Sequence, residues 1–385
     1  MREAHDELKG GIPTKHQFSR VSSFGKTESY PEYKRMRWIN ARADVVKVWL
    51  GPLMKMVEKI VFLDEEFIKH TPVQDRPAKL ASLVSNQARY ILTDFTAFES
   101  HFLPKFTSRC EVALYRHVLA AVCSTYELDM IAKVLTGKNK LKTRLGVTAV
   151  VDGRRMSGEM CTSLGNGFTN KMLTRFNAHK KGLTVRGYVE GDDGIFAIEG
   201  GMLDEKDYLD AGWTIKLREV NNPCEMIPVD DGERPFFGEH IGAFCGICCS
   251  SSGQIIRDPR NFLANFGWTS NYIHAGPKVM KQLLRAKALS AAYETPHCPV
   301  IGAAARAALR LTAGVAPRYV EDGYHNRVYK DERGIEKFAP SVETRILFEK
   351  AFGVSQADQL RIEEHLERGE LTEILPILGS HPHML

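Results

Sequence analysis

The sequence predicts a mixed α/β fold of the α+β kind that closes with a helical lobe. Three observations carry that reading. Short β-rich runs recur at residues 90–95, 184–189 and 195–198, the last two flanking an acidic glycine turn. A long helical stretch lies between the first run and the others. It ends on His179-Lys180-Lys181-Gly182, with cations in the last turn and glycine beyond it. From about residue 258 onward Ala, Leu, Lys and Arg dominate, a composition that favours helix.

In chain order, the first forty residues are rich in Gly, Ser, Thr and Lys and weakly periodic, so they are expected to be loop or extended chain. Helical apolar spacing runs from Asp44 to about Leu63. Tyr90-Ile91-Leu92-Thr93-Asp94-Phe95 reads as a strand with a helical continuation, and residues 111–135 read as helix. Thr148 to Val151 is the next strand, followed by a Gly/Arg turn and the long helix from about Cys161. Thr184–Val189 and Ile195–Ile198 form a hairpin over Glu190-Gly191-Asp192-Asp193-Gly194. A second hairpin is expected over 235–257, turning at Ser250-Ser251-Ser252-Gly253.

With 43% apolar and 26% charged residues in 385, the chain can bury a sizeable core, which excludes collagen-like and disordered classes. No apolar run approaches the roughly 20 residues of a membrane helix. The longest candidate, Val45 to Leu63, is interrupted by Lys47, Gly51, Pro52, Lys55 and Lys59. The mixed-charge N-terminus does not read as a secretory signal, and eight scattered cysteines read as reduced thiols. The net charge of +5 is unevenly spread: residues 105–155 carry ten Lys/Arg against four Asp/Glu, and residues 186–234 carry five against thirteen. A basic segment beside an acidic one suits a protein that holds a polyanion on one wall and cations on another.

The acidic turn carries the chemistry. Adjacent carboxylates repel unless a cation sits between them, and hard oxygen donors favour Mg²⁺. Asp94 ends the strand at 91–93; if that strand neighbours the hairpin, Asp94 and Asp192 can share a pair of metals suited to phosphoryl transfer. Alone, Gly-Asp-Asp is a weak signal, since it also describes an ordinary acidic turn. Ser157-Gly158-x-x-x-Thr162-x-x-x-Asn166 is stronger: a Ser-Gly loop feeds a helix, with Thr162 and Asn166 one turn apart on a face able to bind a sugar hydroxyl. Upstream, Arg35-x-Arg37-x-Ile39-x-x-Arg42, with Lys34 beside it, could grip a triphosphate bidentately.

Taken in this order, the patterns resemble the palm signature of viral RNA-dependent RNA polymerases, from about Lys34 to Trp268. Asp94 through Glu99 resembles motif A, Arg155-Met156-Ser157-Gly158 through Asn166 motif B, Gly191-Asp192-Asp193 motif C, and the arginine segment motif F. Gly212 to Leu217 is similar to motif D, whose lysine, here Lys216, protonates the leaving pyrophosphate. Phe244-Cys245-Gly246 is similar to motif E, which supports the primer 3′ end. The wording is closest to the tombusvirus- and nodavirus-like enzymes of positive-strand RNA viruses.

The resemblance implies a right hand: fingers at 1–85 (an incomplete N-terminal part) and 107–147, palm at 86–106 and 148–257, helical thumb at 258–385. It implies two Mg²⁺ or Mn²⁺ ions held by Asp94 and Asp192, with Asp193 assisting. Arg35, Arg37, Arg42, Glu99, Ser157, Gly158, Thr162 and Asn166 would bind the nucleoside triphosphate. An RNA template and nascent strand would be partners, and other viral replication proteins would supply membrane attachment in the host cytoplasm. Two departures stand out. Glu99 occupies the ribose-sensing position where the family usually has Asp, and only about thirty residues precede motif F, as expected of a fragment or of a frame that follows another.

Three rival readings fit the residues less well. A reverse transcriptase commonly carries an aromatic residue before its paired aspartates; Gly191 stands there instead. A non-enzymatic RNA-binding protein would leave the acids without a purpose. His240-x4-Cys245-x2-Cys248-Cys249 has zinc-ligand types at tolerable spacing, but it coincides with the strand expected to be motif E.

Overall fold

The computed structural model describes residues 1–26, 33, 35–229, 242–267, 269, 272–319 and 339–369. Lys34, His240, Trp268 and residues 235–241 of the second hairpin lie outside them, as does much of the expected thumb. The chain divides into two compact units. The first comprises Met1–Lys26, Arg35–Thr71 and Ser85–Glu219; the second takes the described residues of Thr27–Lys34, Pro72–Val84 and Val220–Leu385.

The first unit starts with α1 (Arg2–Leu8) and α2 (Lys15–Ser19), then β1 (Arg20–Gly25), β2 (Trp38–Arg42) and α3 (Asp44–Val61). The two short helices depart from the expected loop. Each is only five to seven residues long, too short to show a period, and each is anchored by one apolar side chain, Ala4 or Phe18. Thr14 and Gln17 cap α2 reciprocally. β3 (Ala88–Phe95) follows, then α4 (Pro104–Arg109), α5 (Glu111–Leu119) and α6 (Thr125–Thr136). The single helix expected over 111–135 is thus two, because Ser124 and Glu127 form a capping box that starts α6 afresh. β4 (Lys138–Thr143) pairs with β5 (Thr148–Asp152), then come α7 (Thr162–Lys180), β6 (Thr184–Glu190), β7 (Asp193–Glu199), α8 (Glu205–Asp210) and β8 (Ile215–Val220).

These strands make two four-stranded sheets, one ordered β2-β1-β4-β5 and the other β6-β7-β3-β8. In the first, β1 and β4 run parallel and the other neighbours antiparallel. In the second, β7 pairs antiparallel with β6 and with β3, so the strand bearing Asp94 lies directly beside the acidic hairpin. The core beneath this sheet gathers Ile91, Phe98, Leu164, Leu173, Phe196 and Trp213. The buried face of α7 is unusual for a core helix: Gly165, Asn166, Gly167, Thr169, Asn170, Thr174 and Asn177 are all buried. Such a face gains little from apolar burial and must be matched by hydrogen bonds.

The second unit holds a short helix at Arg76–Ala81 and the expected hairpin, β9 (Cys248–Cys249) against β10 (Ile255–Ile256). Helices follow: α9 (Pro259–Phe266), α10 (Pro277–Glu294), α11 (Ile301–Leu311), α12 (Val342–Phe352) and α13 (Gln356–Arg368). Buried alanines (Ala288, Ala292, Ala304, Ala305) let α10 and α11 pack closely. No described helix is long and apolar enough to cross a membrane.

Candidate active site

The acidic hairpin closes over two residues. Glu190 pairs with Asp193, leaving Gly191 and Asp192 as the turn. Gly191 takes φ +63°, with open space where a Cβ would sit, so the backbone angle and not crowding calls for glycine. On the neighbouring strand Thr93 pairs with Gly194, and one residue further along each strand stand Asp94 and Asp193. The sheet therefore brings the three acids to one edge, through the strand pairing on which the sequence reading depended.

Asp192 feels the charge of its neighbours. The Asp192 carboxyl is pushed above the ordinary carboxylate range, first by burial; its own amide and Arg37 oppose the shift, while Glu99 and Asp94 add to it. The residue sits exposed at the hairpin tip, yet the surrounding protein desolvates its carboxyl. No three His, Cys, Asp or Glu among the described residues are drawn together as a metal cage. What the site does hold is an all-oxygen set of mutually repelling carboxylates, which a hard divalent cation fits.

Glu99 is held by its loop. Ala97 at φ +51° turns the chain into a short 3₁₀ segment, Phe98–His101. Beneath it Phe98, Phe102 and Phe106 pack on Trp213 with ring centroids 4.8, 5.2 and 5.1 Å away. From α7, Asn166 Nδ2 donates to Glu99 Oε1 at 3.4 Å. Two residues that the resemblance sets on the nucleotide are thus bonded to each other, and Asn166 Oδ1 stays buried without a protein partner.

The other motif B residues serve the loop that precedes α7. Ser157 Oγ donates to Trp38 O (2.7 Å), and Gly158 N donates to Asn40 O (3.1 Å). A Cβ on Gly158 would lie 2.9 Å from that carbonyl, so the close backbone approach expected of this glycine is to β2. Thr162 Oγ1 donates to Glu159 O at 2.9 Å and closes the loop on itself.

Arg42 requires a correction. Expected on the triphosphate-gripping side with Arg35 and Arg37, it is buried, bonding Phe18 O, Val134 O, Asn139 and Glu159. It lies five residues from Arg37, an odd step that carries a side chain to the opposite face of a strand. Arg35 and Arg37 are exposed just ahead of β2, and Arg37 is the one felt by Asp192. Lys216 is exposed on β8, beside β3, which it joins through Thr96 N and Thr214 O at 3.1 Å. In the second unit Phe244 is fully buried and exchanges two backbone bonds with Ile247, so it cannot touch a primer; Cys245 turns the chain at φ +54°.

Two features escaped the sequence. Asn170, fully buried one turn beyond Asn166, donates through Nδ2 to the Asp192 carbonyl (2.9 Å) and to Thr93 Oγ1 (3.3 Å). It ties the hairpin to β3. Asn170→Leu, similar in volume but unable to donate, leaves the Asp192 carbonyl with one partner fewer. It should cost about 1–3 kcal/mol in urea unfolding and lower the turnover of any reaction that uses Asp192. An unchanged unfolding midpoint would show that the bond adds nothing. The signal was an i, i+4 Asn pair, hidden among the polar residues of α7. The second feature is a buried ionic network below the loop: Arg155 pairs with Glu111 and approaches Glu159 (3.7 Å), and Tyr115 donates to Glu111 at 3.0 Å.

No family model matches the chain. The RNA-directed RNA polymerase of Striped jack nervous necrosis virus is 28% identical over 195 residues, 46% of this chain and 18% of that protein. The chain thus spans under a fifth of that curated relative's length. Among solved structures, the RNA-dependent RNA polymerase of a human picobirnavirus matches with TM-score 0.49 and 14% identity, over 72% of this chain and 53% of that one. An insertion-loop deletion mutant of a human picobirnavirus RNA-dependent RNA polymerase matches with TM-score 0.40 and 16% identity, over 52% and 41%. The chain is similar to viral RNA-dependent RNA polymerases, as its motifs predict.

Proposed function

We propose that this chain, similar to viral RNA-dependent RNA polymerases, synthesises RNA on an RNA template and so replicates a viral genome. One observation carries the reading: Asp94, Glu99 and Asp192 converge from adjacent elements, with Asn166 reaching Glu99 from the facing helix. In a right hand, residues 86–106 and 148–257 would be palm, 1–85 and 107–147 fingers, and 258–385 thumb.

Asp94 and Asp192 would hold two Mg²⁺ or Mn²⁺ ions, with Asp193 assisting. Such ions, when bound, neutralise the crowded carboxylates and supply Lewis-acid stabilisation. Arg35 and Arg37 would orient the triphosphate, taking its negative charge in their forked guanidinium groups. The primer 3′-hydroxyl gives its proton to water as its oxygen attacks the α-phosphorus, the bond from that phosphorus to the bridging β-phosphate oxygen breaks, and pyrophosphate leaves with a proton from the Lys216 ammonium, which water then restores. Membrane attachment in the host cytoplasm would come from other viral replication proteins.

The purified chain should extend a primed RNA template only with the ribonucleotides the template calls for; extension that ignores template sequence would overturn the reading. Sugar choice tests the site more finely. A Glu99 oxygen accepts a hydrogen bond from the ribose 2′-hydroxyl, and a deoxyribose leaves it unpaired at a cost of roughly 1–3 kcal/mol, about fivefold to over a hundredfold in discrimination. Glu99→Ala should therefore lower the kcat/KM ratio of GTP to dGTP by about tenfold, while Glu99→Asp, which keeps the acceptor, should lower it less. An unchanged ratio in an active Glu99→Ala enzyme would put sugar recognition elsewhere.

A further inference from the structure

The outward face of the β2-β1-β4-β5 sheet carries groups that the proposed reaction does not use. β4 alternates: Asn139 is buried, while Lys138, Lys140 and Lys142 are exposed. The register sets Arg20 of β1 opposite Lys140, and Ser22 opposite Lys142. On the other side Val150 and Thr148 of β5 stand opposite the same two lysines. Residues opposite one another share a face. The inner face of β1 and β4 is buried at Val21, Ser23 and Asn139, whereas the outer one is open, with Phe24 46% and Val150 64% exposed.

Little on this face balances the charge. Lys138 stands 4.0 Å from Asp152. The side chains of Arg20, Lys140 and Lys142 have no ion-pair or hydrogen-bond partner among the described residues. Lysines two residues apart on a strand recur every ~6.7 Å, so the row offers cations in even steps along one line. Like charges facing each other across strands destabilise a sheet unless something of opposite sign lies over them.

We infer that this face binds single-stranded RNA, with phosphates tracking along β4 on Arg20, Lys140 and Lys142 and a base laid against Phe24. Evenly spaced cations beside an exposed aromatic ring are what a flexible polyanion with free π-faces requires. Phe24 and Val150 on a flat sheet do not make the continuous apolar band that a membrane surface would need. The inference rests on the polymerase reading for the identity of the polyanion.

The test is the affinity of the full chain for a fluorescently labelled single-stranded oligoribonucleotide over a series of salt concentrations. If each of the three cations meets one phosphate, Arg20→Gln/Lys140→Gln/Lys142→Gln should flatten the log–log salt slope by about 2, at roughly 0.7 per contact. Lys15→Gln/Lys59→Gln/Lys133→Gln removes the same charge from other exposed positions of the first unit and should leave the slope nearly as in the wild type. All six positions are exposed, and both variants should fold with melting temperatures near that of the wild type. An unchanged slope in the first variant, or an equal loss in the second, overturns the inference. So does a first variant that keeps its RNA affinity but no longer sediments with phosphatidylserine vesicles. Asp192→Asn should keep the full slope. A chain that shows the slope loss but polymerises nothing would keep this surface and refute the polymerase reading.

Discussion

Asp192→Asn is expected to reduce nucleotide incorporation by about a hundredfold or more, because in the proposed mechanism it removes a metal ligand and with it several kcal/mol of charge stabilisation. The same substitution should leave the fold intact. The Asp192 carboxyl is pushed up by burial, Glu99 and Asp94, so its ionised form is disfavoured in the folded protein and protonation favours folding. The stability tied to this group is present below its ordinary pKa and is lost as pH rises through the raised one. Asn, which is never charged, should therefore match or raise the melting temperature at neutral pH. Activity has the opposite sign: on the proposed mechanism acidification should lower incorporation, since a protonated Asp192 could not hold a metal ion. Both arms are measurable, by single-nucleotide extension on a primed RNA template across pH and by thermal melts of both proteins. Extension by Asp192→Asn at the wild-type rate would remove Asp192 from the chemistry.

Arg155→Met is expected to destabilise the protein by about 3–5 kcal/mol, because it strands the buried Glu111 carboxylate without its partner. Both side chains of that pair are at most 1% exposed, so water cannot take the guanidinium's place. The double substitution Arg155→Met/Glu111→Met should recover much of the loss, since apolar groups of similar size need no desolvation of charge. Urea unfolding of the two variants measures this directly. A single variant within about 1 kcal/mol of wild type would mean that Glu111 is served by Tyr115 and Thr169 alone. If incorporation falls more than stability in Arg155→Met, the network also fixes the loop that begins α7.

Much of the site was legible because it is local. Gly191-Asp192-Asp193 is a turn whose geometry depends on four residues, and the β-rich runs on either side are dense enough in branched and aromatic residues to be read directly. Glu99 and Asn166 are set on the nucleotide by the resemblance alone, and it is the fold that bonds them to each other. β4 was not legible either. Lys-Asn-Lys-Leu-Lys-Thr has almost no apolar face, and what makes it a strand is pairing with β1 and β5 far away in sequence.

By itself, then, the sequence determined the order of elements around the hairpin and the acids of its turn, while the pairing of β3 with β7 decided that Asp94 shares their edge. Only the tertiary structure decided which charges are structural and which are available. Arg35, Arg37 and Arg42 look alike along the chain. Arg42 is enclosed by Phe18, Val134, Asn139 and Glu159, and Arg37 is exposed, its charge felt by Asp192. Asn170 and Arg155 likewise gain their roles from segments that are far away along the chain, at Thr93 and Glu111. The reason is that burial and hydrogen-bond partnership are properties of neighbours in space. Periodicity along the chain fixes which way a side chain points, but not what it meets there.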